Sequence, residues 1–384
     1  MVLGKVKPSD LRLSRPSVGL AELYKVSKVL RSGNLTQGSV TVEFEEGVAR
    51  VCNSTYAAAT SSATTGLHLA LRALGIGSGH EVIIPAFSFP ATANVVEQIG
   101  AKPIMVDILP QTWCIDPNLV ASSITTKTRA IMPVHAFGLM AATKELKEIG
   151  ALHGIPIIED AACALGARNE TGFAGAVGDI GVFSFHPRKV LTTGEGGMVL
   201  TQNEEVFQYM QTLRSHGGQK GEFYLDFIDA GYNYRLSDVA SSIGLAQLKR
   251  LENLLKRRRE VANAYFHELQ GISDLCLPLN TKEEHTYQSF VVKILSVARD
   301  DVIRIMKEKG FETTLGTYGM HLQPFYLKKY DLSPSDFPVA TEAHRQLLTL
   351  PIDLKYGPRQ AKLVARALRR TISALKVSGS KVAS

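Results

Sequence analysis

Lys189 stands five residues after Ser184, at the end of the apolar run Gly181-Val182-Phe183 and before the loop Thr192-Thr193-Gly194-Glu195-Gly196-Gly197. A second strand-like run, Met198-Val199-Leu200-Thr201, closes that loop. Lysine is ordinarily a solvated surface charge, but one set between two apolar runs, in a turn kept open by glycines, loses solvation. Its ammonium then gives up a proton more readily, and the free amine is a nucleophile able to form a Schiff base.

Other residues offer chemistry beside a bland alternative. Glu159 and Asp160 follow the apolar pair Ile157-Ile158. A buried Asp160 would keep a heteroaromatic ring nitrogen protonated and the ring an electron sink, or it would cap the next helix. Ser61-Ser62-Ala63-Thr64-Thr65-Gly66 opens a helical pattern after a strand, a seat for a phosphate or an ordinary N-cap. Ser184 strengthens the phosphate reading only if its strand end neighbours that one. Phe87 and Phe89 either pack in the core or offer a ring face to a flat cofactor. Asn233 and Arg235, in a polar-aromatic turn, reach a phosphate or pair locally, and His321 more often packs than catalyses.

The elements that must position these groups alternate. Strands are predicted at 56–60, 81–86, 103–107, 130–134, 155–160, 180–184 and 198–201, and crossover helices at 64–74, 91–99 and 143–153. Such alternation predicts a mostly parallel sheet between helices, with ligands beyond the carboxyl ends of the strands. Asp160 and Ser184 fall there. The link from His186 to Gly197 is too short for a helical crossover, so the seventh strand should run antiparallel. A long helical pattern from Asp238 through Leu245, Leu255 and Tyr265 bridges to a second domain, with a strand at 288–294 and helices at 299–309 and 360–375. The tail from Val377 to Ser384 should fray.

A chain of 384 residues, 45% apolar and 21% charged, fits a soluble protein of two domains or three. Its apolar runs are too short to cross a bilayer and Met1–Lys5 lacks a signal-peptide core, so a cytoplasmic protein is expected. Cys52, Cys114, Cys163 and Cys276 are scattered without metal-ligand spacing, against structural zinc and against a disulfide framework. The net charge of +7 tolerates anionic ligands without selecting one. The basic stretch Lys256–Arg259 is interleaved with leucines and predicts a solvated helix face rather than a nucleic-acid surface.

Taken in order, Leu35-Thr36-Gln37-Gly38, Ser62-Ala63-Thr64, Ile157–Ala162, Phe183–Gly197, Gly231–Asp238, Ile243–Leu248 and His321-Leu322-Gln323-Pro324 resemble the DegT-type sugar aminotransferases. The resemblance spans residues 34 to 352. It implies an α/β chain of the fold-type I pyridoxal-phosphate class: a large domain (1–249, with an N-terminal arm) around a seven-stranded, mostly parallel sheet, and a smaller α+β domain (250–384). Pyridoxal 5′-phosphate would be the cofactor, and no metal is implied. Lys189 would carry the cofactor as a Schiff base, Asp160 would bind its ring nitrogen and Phe89 would stack on the ring. Ala63, Thr64 and Ser184 would hold the phosphate, joined by Asn233 and Arg235 from the partner subunit of a homodimer with shared active sites. Tyr318 and His321 would approach the substrate. The family commonly has Gly at the Ala63 position and Gln or His at the Cys163 position, where a contact to the ring is expected.

The activity implied is transfer of an amino group from L-glutamate to a keto-deoxy sugar nucleotide, with no nucleic acid or membrane partner. Related sugar dehydratases replace the Schiff-base lysine with histidine, so Lys189 favours transamination and His186 is too early to substitute. A cyclitol or aminohydroxybenzoate substrate stays open, as does a DNA-binding regulator using Lys256–Arg259.

Overall fold

The computed structural model describes residues 11–281 and 285–382. Among these, seven strands form the central sheet: β1 (Tyr56–Thr60), β2 (Glu81–Pro85), β3 (Lys102–Val106), β4 (Thr128–Ile131), β5 (Ile158–Asp160), β6 (Ile180–Ser184) and β7 (Gly197–Thr201). Their order is β3-β2-β4-β5-β6-β7-β1, with β4 and β5 joined by single bridges, Ile131 to Ile157 and Val134 to Asp160. β7 is antiparallel to both neighbours, and the other pairings are parallel. The glycine-rich loop before β7 therefore turns the chain back, as its shortness requires. Val82, Ile83 and Ile84 are all buried, as in a strand covered on both faces.

Helices cover the sheet. α1 (Leu20–Ser32) and α2 (Ser39–Cys52) come first, followed by α3 (Ala63–Ala73) after β1 and α4 (Pro90–Gln98) after β2. Gly38 caps α2 and sits against Asp238, where an added Cβ would lie 2.8 Å from the carboxylate. Asp238 Oδ1 accepts from the N–H groups of Gly38 and Thr41, both at 2.9 Å. Two of the separated sequence motifs thus form one cap.

The leucine pattern beyond Asp238 predicts one unbroken helix, but the structure breaks it into α5 (Asp238–Leu248) and α6 (Leu251–Leu269). Arg250 leaves helical backbone at φ −121°, and its guanidinium is drawn onto Glu22 Oε1 at 2.6 Å. α6 still bridges the two parts. Leu251, Leu254 and Leu255 pack in the core beside the central sheet, whereas Val261, Ala262, Tyr265 and Leu269 pack in a second core.

That second core backs an antiparallel sheet of β8 (Leu275–Cys276), β9 (Phe290–Ile294), β10 (Thr314–Leu315) and β11 (Leu347–Leu350), ordered β8-β9-β11-β10. α7 (Arg299–Glu308) and α8 (Pro358–Val382) cover it, as the packing of Val302, Met306, Val364 and Leu368 shows. Three expectations shift. Leu11 joins this second core and Leu13 bonds to Glu312 and Ile352, so this piece of the N-terminal arm lies against the C-terminal part. α8 runs to Val382, through most of the expected frayed tail, while Ala383 and Ser384, like Met1–Lys5, lie outside the described residues. Arg258, expected on a solvated face, is buried and donates to the carbonyls of Tyr287 (3.2 Å) and Gln288 (3.0 Å).

Candidate active site

The ends of β1, β7 and β6 lie in one row, Thr60 opposite Gly197 and Gly197 opposite Ser184. α3 starts over that row, capped by Ser62, whose Oγ accepts from the Thr65 N–H at 3.1 Å. A Cβ on Gly197 would fall 2.5 Å from the Ser62 carbonyl and 2.7 Å from the Ala63 nitrogen. Only glycine lets the helix start rest on the strand end. Ser184 and the first turn of α3 therefore flank one residue, Gly197, with β7 between the two strand ends. The N–H groups of Ala63 and Thr64 belong to that first turn, which no preceding carbonyl of the helix serves.

Asp160 and Glu159 take opposite faces of β5 because strand side chains alternate. Asp160 is buried; Thr92 Oγ1 donates to its Oδ2 at 2.8 Å and the Ala162 N–H to its Oδ1 at 3.2 Å. Burial pushes its pKa up, against the pull of Thr92, the Ala162 N–H and the charge of Lys189. Glu159 is enclosed differently. Its Oε1 accepts from the N–H groups of Val177 (2.8 Å) and Gly178 (2.6 Å), and its Oε2 from Gly175 (2.9 Å) and His135 Nε2 (2.7 Å). His135 Nδ1 accepts from the Ala141 N–H at 3.1 Å, so the ring hydrogen is on Nε2. Burial alone would raise the Glu159 pKa, but His135 and the backbone donors bring it below the usual carboxylate value. The carboxylate pair thus divides into an open member and a sealed one.

Lys189, in the loop after β6, donates from Nζ to Cys163 Sγ at 2.9 Å, in the loop after β5. Phe89 caps α4 with its ring 60% exposed, three residues before the Thr92 that holds Asp160. Its centroid is 6.5 Å from that of Tyr318. Tyr318 reaches the site because it pairs with Ser88 in a two-residue ribbon, and Ser88 Oγ lies 2.8 Å from Thr92 Oγ1. Phe89, Thr92, Asp160 and Tyr318 are thereby tied together.

His321 departs from its expected place on the substrate side. It is fully enclosed, with Nε2 2.7 Å from Thr341 Oγ1 and Nδ1 3.4 Å from the Ala86 carbonyl, its ring against Phe337. Arg235 forms a backbone bridge with Thr60 of its own chain, and the Tyr234 carbonyl accepts from the Ser61 N–H at 2.8 Å. Asn233 pairs through its backbone with Ser215 and is exposed. Sequence reasoning missed Thr92 and the His135–Glu159 pair. Thr92 carried a signal as the third residue of a helix starting at Pro90; His135 carried none, since its partner is set by sheet order.

The sequence model of the DegT/DnrJ/EryC1/StrS aminotransferase family matches residues 16–369. The chain is 33% identical over 357 residues to the spore coat polysaccharide biosynthesis protein SpsC of Bacillus subtilis, covering 89% of this chain and 92% of that protein. Among solved structures, the putative sugar aminotransferase Spr1654 of Streptococcus pneumoniae in its PMP form matches with a TM-score of 0.91 and 27% identity, over 96% of this chain and 99% of that one. DesI, solved in the presence of its TDP-sugar product, matches with a TM-score of 0.88 and 29% identity, over 97% and 96% of the two chains.

Proposed function

Because the chain belongs to the DegT/DnrJ/EryC1/StrS aminotransferase family, we propose that it moves an amino group from L-glutamate to a 3-keto or 4-keto deoxysugar nucleotide, in the making of surface polysaccharides or glycosides. It is a fold-type I aminotransferase, and pyridoxal 5′-phosphate is its cofactor. One observation carries the reading: Lys189, the buried Asp160 and the start of α3 converge on one edge of the sheet, where Gly197 lets that helix start rest against the strand end.

The residues present fit that cofactor. The start of α3 suits a phosphate, with the N–H groups of Ala63 and Thr64 as donors and Ser184 across Gly197 on the next strand end. Asp160, whose burial raises its pKa, gains from a cationic partner and so suits a protonated ring nitrogen. The exposed ring of Phe89 offers a stacking face. When bound, the cofactor supplies the sink for the electron pair left at the donor's α-carbon.

Lys189 Nζ then has two tasks. It would yield its place to the incoming amine, and as a free base it would take the proton from the donor's α-carbon and hold it for return. One water would hydrolyse the donor to 2-oxoglutarate and leave its amino group in the site; the keto sugar would then take that group and release a water by the reverse sequence. Cys163 Sγ marks where the free amine rests, 2.9 Å away. Tyr318 faces the substrate, while His321 holds the loop that presents it.

The active unit we infer is a homodimer. The hairpin of Gly218–Lys220 and Leu225–Phe227 exposes Phe223, Tyr224, Leu225, Phe227 and Ile228, an apolar tip that a second copy would cover. The exposed Asn233 follows that hairpin, so Asn233 of the partner subunit, with Arg235 nearby, would complete the phosphate seat. Nitrogen-15-labelled glutamate and a panel of 3-keto and 4-keto nucleotide sugars test the substrate class by mass spectrometry. Label should enter at least one panel member. If the cofactor-loaded enzyme aminates none of them, the sugar-nucleotide assignment falls.

A further inference from the structure

The loops carrying Lys189 and Cys163 are gripped from outside the central sheet by one segment of the C-terminal part, His285–Gln288. Its four residues are all buried. Gln288 Nε2 donates to the Arg188 carbonyl at 2.6 Å, one residue before the lysine. Thr286 Oγ1 donates to the Cys163 carbonyl at 3.1 Å, and the Thr286 N–H donates to the Gly138 carbonyl at 2.9 Å. Arg258 in turn holds the segment through the Tyr287 and Gln288 carbonyls.

The crossing leaves no slack. A Cβ on Gly138 would lie 2.1 Å from Thr286 Oγ1, 3.0 Å from the Cys163 carbonyl oxygen and 3.1 Å from the Gln288 nitrogen. Both crossing strands carry a non-glycine residue in left-handed backbone, Phe137 at φ 56° and Tyr287 at φ 49°. Such conformations persist where the surroundings over-determine them. Three chain segments are thus locked at a point from which two hydrogen bonds lead to the loops holding the amine and the thiol.

We propose that Gln288 and Thr286 are positioning residues for amino transfer: by holding the carbonyls of Arg188 and Cys163 they fix where the Lys189 amine stands relative to the Cys163 thiol and Asp160. This rests on the role given to Lys189 above. Neither residue touches the reacting atoms; each acts through a loop. Small displacements of a reacting group cost large factors in rate, so the effect should fall on kcat rather than on substrate binding.

Two measurements on Gln288→Ala test the proposal. In the cofactor-free protein, amide hydrogen exchange should quicken at least tenfold in the peptide spanning 187–193 and stay unchanged in β2 and β3. In the loaded enzyme, kcat per bound cofactor should fall about tenfold, with KM for either substrate within twofold of wild type. A merely structural role would lower the melting temperature and leave kcat per bound cofactor unchanged. Should Gln288→Ala not fold, Thr286→Val carries the test: it keeps shape, loses the donor to Cys163, and should quicken exchange across 161–166. Unchanged exchange in these loops, or an unchanged kcat per bound cofactor, overturns the proposal. A wild-type protein that transaminates nothing would instead refute the functional reading, while the exchange data still decide whether the grip exists.

Discussion

Glu159 and Asp160 are adjacent in sequence and far apart in role, because alternation along β5 sends one into a sealed nest of donors and the other toward Lys189. Burial governs the state of another titratable residue in the chain. His285 is buried, its Nδ1 accepting from the Tyr287 N–H at 3.0 Å, and burial lowers its pKa to about 3. The folded protein keeps it neutral, whereas the unfolded chain protonates it below its ordinary value near 6.5. The unfolded state thus binds the extra proton, and stability drops as pH falls below that value, by up to about 1.4 kcal/mol per pH unit from this group. Urea denaturation at pH 7.5 and pH 5 should show the loss, and His285→Gln should flatten it. An equal loss in the variant would assign the effect elsewhere. Asp160 and Ser184 were legible in the sequence because each ends a recognisable apolar run, and Lys189 because it lies in the short link that follows one. His135, Thr92 and Thr286 were not, since what they touch is decided by which strands and loops become neighbours.

At the scale of elements, the sheet was readable because alternating apolar runs and helical patterns admit few topologies, and the brevity of the 186–197 link forced β7 to turn back. The break between α5 and α6 was not readable. It is imposed by Arg250 reaching Glu22 and Ser17, residues of an arm more than two hundred positions away. The meeting of β1, β7 and α3 has a sharper consequence. Gly197 has no spare space, so Gly197→Ala should push the start of α3 off the strand end and spoil the phosphate seat, while leaving Lys189 and Asp160 in place. Loss of about two phosphate-directed hydrogen bonds at roughly 1.5–3 kcal/mol each predicts at least a hundredfold weaker hold on pyridoxal phosphate. Equilibrium dialysis against the free cofactor measures it; wild-type affinity in the variant would contradict the placement.

In the whole molecule α6 spans a core beside the central sheet and the core of the C-terminal sheet, a further cluster packs Ile83 and Phe87 against Val291 and Leu347, and the segment His285–Gln288 bonds to the site's loops from the C-terminal side. The C-terminal part thus reaches the loops of the central sheet through two side-chain hydrogen bonds. The proposed dimer would cover the exposed hairpin tip that precedes Asn233. Everything in the account turns on one covalent attachment, at Lys189 and nowhere else. Borohydride reduction of the cofactor-loaded protein, followed by peptide mass spectrometry, tests it directly. The account predicts a phosphopyridoxyl group fixed on the peptide containing Lys189, lost when the protein is first treated with excess L-glutamate. A reduced adduct on another lysine, or none on a yellow protein, would contradict it.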